Sequence, residues 1–184
     1  MKFNGERVVT GDMRKYIPTL QEHIARYNFA LQPVLNKTVL DAACGTGYGS
    51  KLLTETAATV TGLDISQDAC LYAASQYPDI PFIQCDLNKD FPDKKFDLCV
   101  SFETIEHLEK PDVFLQNVEN NCKEFIFSIP VNAPGDYHLQ VWSNEEIQTM
   151  MHKYFSKITW FNQRGTYIYT GADNALFLIG VATN

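Results

Sequence analysis

Two hydrophobic rhythms alternate along the chain, one of period two and one near 3.6, and together they predict its elements. "TVLDAA" (38–43), "TVTGLDI" (59–65), "PFIQCDL" (81–87), "FDLCVSF" (96–102) and "EFIFSIP" (124–130) are short apolar or alternating runs that predict strands. Between them, "YGSKLLTETA" (48–57), "SQDACLYAASQY" (66–77) and "PDVFLQNVENN" (111–121) predict helices, with Ser66 placed to cap the second and Pro111 to start the third. Upstream, "YIPTLQEHIARYNFALQPVL" puts Leu20, Ile24, Tyr27 and Leu31 at helical spacing, with Pro18 in the first turn and Pro33 near the end. Downstream, Ser143 and Glu146 open "SNEEIQTMMHKYF" as a capping box. "KITWFNQ" and "NALFLIGVAT" close the chain as strands, and "NQRGTYIYTGADN" forms a hairpin-like loop between them. Strands alternating with helices, with no repeat or linker, predict an α/β fold: a doubly wound, mostly parallel sheet. Ligands on such sheets sit beyond the carboxyl ends of the strands, near the switch point.

Composition narrows the classes. The 184 residues suit one domain with a sizeable core. Hydrophobic content of 45% with 20% charged residues fits a folded, water-exposed protein. The net charge of −7, with no Lys/Arg block, weighs against duplex nucleic acid as a partner. The polar start "MKFNGERVVTGDMRKY" lacks a signal-peptide core, and no apolar run reaches the roughly 18 residues of a membrane span. Five cysteines, scattered singly with no C-x-x-C pair, fit reduced thiols in a cytoplasm rather than a disulfide framework or a zinc knuckle.

"VLDAACGTGYGS" (39–50) ends an apolar run on Asp41 and then supplies Gly45, Gly47 and Gly49. Glycines after a strand cradle nucleotides, although a bare G-x-G-x-G also serves as a tight turn without a ligand. Asp64 closes the second strand about 20 residues on, where a dinucleotide fold places its ribose acid. Asp86 follows the third strand, within reach of an adenine amino group. Asp41 decides between cofactors. A pyrophosphate wants bare N–H groups and a helix N-terminus, and a carboxylate at the loop repels it. An ammonium and a sulfonium are attracted instead, which is the charge pattern of S-adenosylmethionine.

These residues resemble a known group. "VLDAACGTGYGS" is similar to the first motif of class I S-adenosylmethionine-dependent methyltransferases. "LDIS" resembles their second-strand acid, "CDL" their adenine-side motif, and "FDLCVSFETIEHL" their fourth strand and following loop. The resemblance runs from about residue 38 to 130. Weaker echoes in "GERVV", "EHIARYNFA" and "YHLQVWSNEEI" look like small bacterial methyltransferases of glycan and natural-product pathways. The resemblance implies a Rossmann-like, seven-stranded sheet with an antiparallel last strand, an N-terminal lid segment (1–36) and a catalytic core (37–184). It also implies cofactor contacts: Asp41 with Ala43, Gly45 and Gly47 at the methionine end, Asp64 and Ile65 at the ribose, Asp86 and Leu87 at the adenine. His23, Arg26 and Tyr27 fall on a helix expected to lie over the cofactor, where Tyr27 would close the pocket and Arg26 would meet the cofactor carboxylate, or else the helix is an amphipathic lid with a merely solvated polar face. Phe102 and Tyr48 are expected either to pack on the cofactor or to belong to the core. No "KPGG"-type turn precedes the fifth strand, which departs from many members.

The cofactor supplies the electrophile in methyl transfer, so the protein must align the acceptor and manage its proton. Chemistry-bearing groups gather in "SFETIEHLEKP". Glu103, Glu106 and His107 share a face if the segment is a helical turn, and His138 in "GDYHLQ" follows the next strand. Two glutamates and two histidines suit Mg²⁺, Mn²⁺ or a related divalent ion. Three readings stay open: a metal site, a metal-free base at His107 or His138, and a structural role in which Glu106 caps a helix and His107 bonds to backbone. The E-x-x-E-H spacing with a later histidine also resembles the metal site of Hen1-type RNA 3′-terminal 2′-O-methyltransferases. The short gap from His107 to His138 and the acidic balance depart from that family. The expected reaction is O-methylation of a hydroxyl on a sugar or other small polar metabolite, with an RNA end, an amino sugar or a non-catalytic subunit as alternatives. So short a chain leaves little room for an acceptor-recognition insert: either the acceptor is small, or a partner chain, a second copy or another protein, completes the pocket.

Overall fold

The computed structural model describes residues 17–135, 137–171 and 175–183. The motifs "GERVV" and residues 1–16 of the expected lid segment lie outside this range. Helix α1 (Ile17–Ala30) leads into strand β1 (Thr38–Ala42), α2 (Tyr48–Leu53), β2 (Thr59–Asp64), α3 (Gln67–Gln76) and β3 (Phe82–Gln84). Strand β4 (Phe96–Phe102) is followed by a 3₁₀ turn (Ile105–His107), α4 (Pro111–Asn121) and β5 (Cys122–Pro130). Helix α5 (Asn144–Met151), β6 (Lys157–Arg164), β7 (Tyr167–Tyr169) and β8 (Phe177–Thr183) complete the order. Among the described residues no helix is long and apolar enough to cross a membrane.

The strands form one sheet in the order β3-β2-β1-β4-β5-β8-β6-β7. β1 to β5 pair in parallel, whereas β8 runs antiparallel to both β5 and β6. The sheet is mostly parallel with an antiparallel final strand, as expected, but it holds eight strands rather than seven. The extra strand is β7, paired antiparallel to β6 with Arg164 opposite Tyr167. Gly165 and Thr166 alone make the turn, and Gly165 takes the left-handed φ of 58° that a two-residue hairpin demands.

The caps read from the sequence form. Ser66 accepts the Ala69 N–H, and Ser143 and Glu146 complete a reciprocal capping box. Helix α2 stops at Leu53, short of the expected Ala57, where the Glu55 and Thr56 N–H groups turn to the Leu52 and Leu53 carbonyls in i→i−3 bonds that tighten the last turn. Period-two alternation splits the sheet's side chains between two cores. Leu40, Ala42, Phe125 and Phe127 pack with Phe114 of α4 and Ile147 of α5. Val39, Leu98, Val100 and Ile126 pack with Tyr27 of α1 and Leu53 of α2. By that alternation Asp41 falls on the face that carries Val39, toward α1 and α2.

Candidate functional site

The carboxyl ends of β1, β2 and β4 open into a cavity of about 470 Å³, roofed by α1 and bounded by the loop after β5. Its floor is the glycine loop. Ala43, Gly45 and Gly47 all take left-handed φ angles of 63°, 57° and 80°, so the chain curls tightly between β1 and α2. A Cβ at Gly45 would meet nothing within 4 Å, so the backbone there faces open space; at Gly47 it would strike Ala73 and Phe82 at 2.8 Å. Gly47 is thus a packing glycine rather than a cavity wall. The curl is fastened to β2: Cys44 N–H donates to the Leu63 carbonyl, Gly45 N–H to one Asp64 oxygen at 3.0 Å, and Ser66 N–H to the other at 2.8 Å.

Asp41 lies beneath this floor, fully buried and off the cavity surface. One of its oxygens accepts from Tyr27 at 3.1 Å and the other from Ser50 at 2.6 Å. Burial pushes its carboxyl up to about 6, against the lowering effect of those two bonds. Asp41, expected to contact the cofactor directly, does not reach the cavity surface, whereas Tyr27, which donates to it, does. Tyr27 reaches Asp41 because Gly49 has no side chain: a Cβ there would stand 2.0 Å from the tyrosine ring. Tyr27 also meets Phe102 and Tyr48 edge to face, at 5.1 and 5.9 Å.

The remaining expected cofactor residues line the cavity. Ala43, Gly45, Asp64 and Ile65 stand on one side, with Asp86, Leu87, Tyr27 and Phe102 around them. Asp86 accepts from Lys89 at 2.6 Å and from Asn88, and these bonds hold its carboxyl below the usual range. Arg26 does not face the cavity. It is 1% exposed, donates to Gln163 at 2.7 Å and lies over the Phe177 ring, which removes it from any cofactor carboxylate. His23, one turn before it, does line the cavity, and burial followed by the Arg26 charge lowers its imidazole to about 3.

At the far end, Glu106, His107 and His138 offer one ligand atom each within 4.8 Å of one another. The two rings meet edge to face with centroids 5.0 Å apart. Each Nδ1 approaches a backbone carbonyl: His107 that of Tyr137 at 2.9 Å, His138 that of Ala133 at 2.6 Å. A carbonyl only accepts, so Nδ1 carries the proton and Nε2 of each neutral ring is left as a lone pair. Glu106 is 1% exposed, and neither carboxylate oxygen has a hydrogen-bond partner. Burial and then the nearby Glu103 charge raise its carboxyl well above the usual range.

Glu103 is not in this group. The sequence expectation of a single helical face fails because Glu103 takes a left-handed φ of 52° before the 3₁₀ turn begins. Its carboxylate swings to Ser128, whose hydroxyl donates at 2.7 Å, and stands 4.0 Å from Arg26. Sequence reasoning missed Ser50 and Ser128. Each is a fully buried hydroxyl beside an expected site acid, and the only signal was a polar residue inside an apolar run.

Residues 40–124 match the family described as "Methyltransferase domain". A Mycobacterium tuberculosis protein named a probable S-adenosylmethionine-dependent methyltransferase is 31% identical over 110 residues, covering 59% of this chain and 39% of its own. The ubiquinone biosynthesis O-methyltransferase of Glaesserella parasuis is 30% identical over 145 residues, covering 71% of this chain and 61% of its own. The chain thus spans less than two thirds of the length of these relatives. Among solved structures, the methyltransferase domain of a bacterial Hen1 superposes with a TM-score of 0.69 at 19% identity, covering 90% of this chain and 99% of that one.

Proposed function

The chain carries a class I S-adenosylmethionine-dependent methyltransferase domain, and from that premise we propose that it methylates a hydroxyl of a small polar acceptor, a sugar or a similar metabolite with adjacent oxygens, with the help of a divalent cation. The observation that carries the proposal is the buried Glu106 carboxylate, which has no hydrogen-bond partner, with a ring nitrogen of His107 and one of His138 gathered within 4.8 Å of it and of each other. Three electron-rich groups so close together repel one another unless a cation or a proton lies among them. One anionic oxygen ligand with two imidazoles suits Mn²⁺ or Mg²⁺.

S-Adenosylmethionine supplies the sulfonium methyl, and a divalent ion held by Glu106, His107 and His138 would lower the pKa of the acceptor hydroxyl. The chain's own residues do the rest. Asp64 braces the loop at Gly45 and Ser66 and presents its carboxylate toward the ribose side. Asp86 and Leu87 border the adenine side, while Tyr27 and Phe102 close the apolar wall over the reacting centre and exclude water. Glu103, fixed by Ser128, stands in the cavity as an acid without a place among the ligands. The O-methyltransferase name of the Glaesserella relative supports oxygen as the acceptor atom. The net charge of −7 weighs against an RNA end.

The same two lone pairs support a second reading, in which His107 or His138 takes the acceptor's proton with no metal present. Calorimetry with Mn²⁺ and S-adenosylhomocysteine, alongside methyl transfer to a panel of sugars and catechols with and without a chelator, separates the two. Mn²⁺ binding and chelator-sensitive turnover support the metal; turnover indifferent to the chelator supports the histidine base. Cofactor binding with no turnover on any hydroxyl or amine would leave a non-catalytic subunit and defeat both.

A further inference from the structure

Asp64, Asp86, Glu103 and Glu106 line the cavity, and among the described lining residues these carboxylates have no lysine or arginine beside them. Among the described residues Lys89 and Arg26 lie close by, and neither lines the cavity. Lys89 pairs with Asp86 from the solvent side, 71% exposed, and Arg26, buried behind Glu103 at 4.0 Å from its carboxylate, donates to Gln163 and lies over Phe177 without reaching the cavity. His23 is kept neutral by its surroundings. A divalent ion would have its charge offset by Glu106 with Glu103 close by, and among the described lining residues no lysine or arginine is left to receive a further anion. The cofactor fits this pattern, because its sulfonium and ammonium make it net cationic.

We infer that the acceptor bears no phosphate, sulfate or carboxylate beside the reacting hydroxyl: the cavity selects neutral or cationic acceptors and rejects anionic ones. The inference rests on the acceptor site proposed above and gives that site a substrate class. An anion entering this space gives up its hydration and meets carboxylates across a part-buried, lower-dielectric cavity, where like charges repel more strongly than in water. Selection here comes from repulsion of the wrong acceptor, not from contacts to the right one.

Matched pairs that differ only in charge test this: adenosine against adenosine monophosphate, and catechol against 3,4-dihydroxybenzoate. Transfer of labelled methyl is measured with S-adenosylmethionine, with and without Mn²⁺. Binding of the same pairs to the S-adenosylhomocysteine complex is measured by calorimetry. The neutral member is expected to exceed its anionic partner at least tenfold in kcat/KM or in affinity, with the gap narrowing as salt rises. Thr19→Lys, an exposed cavity-rim position on α1, is expected to raise the anionic member several-fold and leave the neutral one near its starting value. Equal or better use of the anionic member, a gap unmoved by both salt and Thr19→Lys, or no binding of either member overturns the inference. Failure of Mn²⁺ to bind defeats only the metal reading, since the neutral-to-anionic ratio is still read in its absence.

Discussion

Replacing Glu106 with glutamine should make the metal-free protein more stable while removing its response to metal. The side chain is 1% exposed, both oxygens lack partners, and the nearest ring nitrogen, Nε2 of His107, is 3.8 Å away. An unsatisfied buried polar group costs about 1–3 kcal/mol, and more when charged. Because burial raises its carboxyl, the metal-free protein at neutral pH must either bind a proton at Glu106 on folding or bury its charge. Glutamine keeps the shape and needs neither, so Glu106→Gln should gain roughly that amount. For a chain of this size each kcal/mol is worth about 2–4 °C in Tm, which predicts a rise of roughly 2–12 °C in chelator. Mn²⁺ at a hundred times its Kd adds about 2.7 kcal/mol to a protein that binds it only when folded. That increment should appear in the parent and vanish in the variant, erasing the variant's advantage, and methyl transfer should fall with it. Thermal and urea unfolding of both proteins, in chelator and in Mn²⁺, give the four numbers required. A variant no more stable than the parent in chelator, or one that keeps the Mn²⁺ shift, refutes the reasoning.

Two further substitutions probe the floor of the cavity. Asp41 titrates near 3.8 when unfolded and about 6 when folded. Between those values the unfolded chain has released a proton that the folded protein retains, so stability should fall as pH rises from about 4 to 6 and then level off. The total is about 3 kcal/mol at about 1.4 kcal/mol per unit. Asp41→Asn should flatten that slope relative to the parent in urea unfolding across the same window; parallel curves would contradict it. Gly49→Ala places a Cβ 2.0 Å from the Tyr27 ring, which must leave Asp41 to make room. Overpacking of this kind costs about 1–3 kcal/mol, more than the helix propensity alanine gains, so the denaturation midpoint and the affinity for S-adenosylhomocysteine should both drop.

Much of the fold is legible because local and long-range preferences agree. The apolar runs of β1, β2, β4 and β5, the Ser66 cap and the Ser143–Glu146 box each point the same way as the final packing. The disagreements are local. Three residues of β7 carry too little pattern to announce a strand, and their pairing is set by the Gly165 turn. The facing of Asp41 was legible only through the parity of β1: Val39 and Asp41 share a face, and that face meets α1. Reading Asp41 as a group in open contact with the cofactor took its position along the chain without that parity.

The acceptor end shows why spacing alone misplaced one ligand. E-x-x-E-H implies a common face only on a regular helix, and the left-handed φ at Glu103 breaks regularity two residues before the turn. The arrival of His138 has no sequence signature, because main-chain groups bring it in. The Leu139 and Gln140 N–H groups both donate to the Glu106 carbonyl, at 2.9 and 3.1 Å, while the Tyr137 carbonyl accepts from His107. Three bonds to backbone atoms of residues 137–140 thus fasten that loop to the 3₁₀ turn. The side chains of Leu139 and Val141 are left exposed by this arrangement and free to vary. Since the loop is positioned by its peptide groups, any non-proline residue at 139 or 140 can present His138 equally well. That is why no pattern in "YHLQV" beyond the histidine itself could have announced the site.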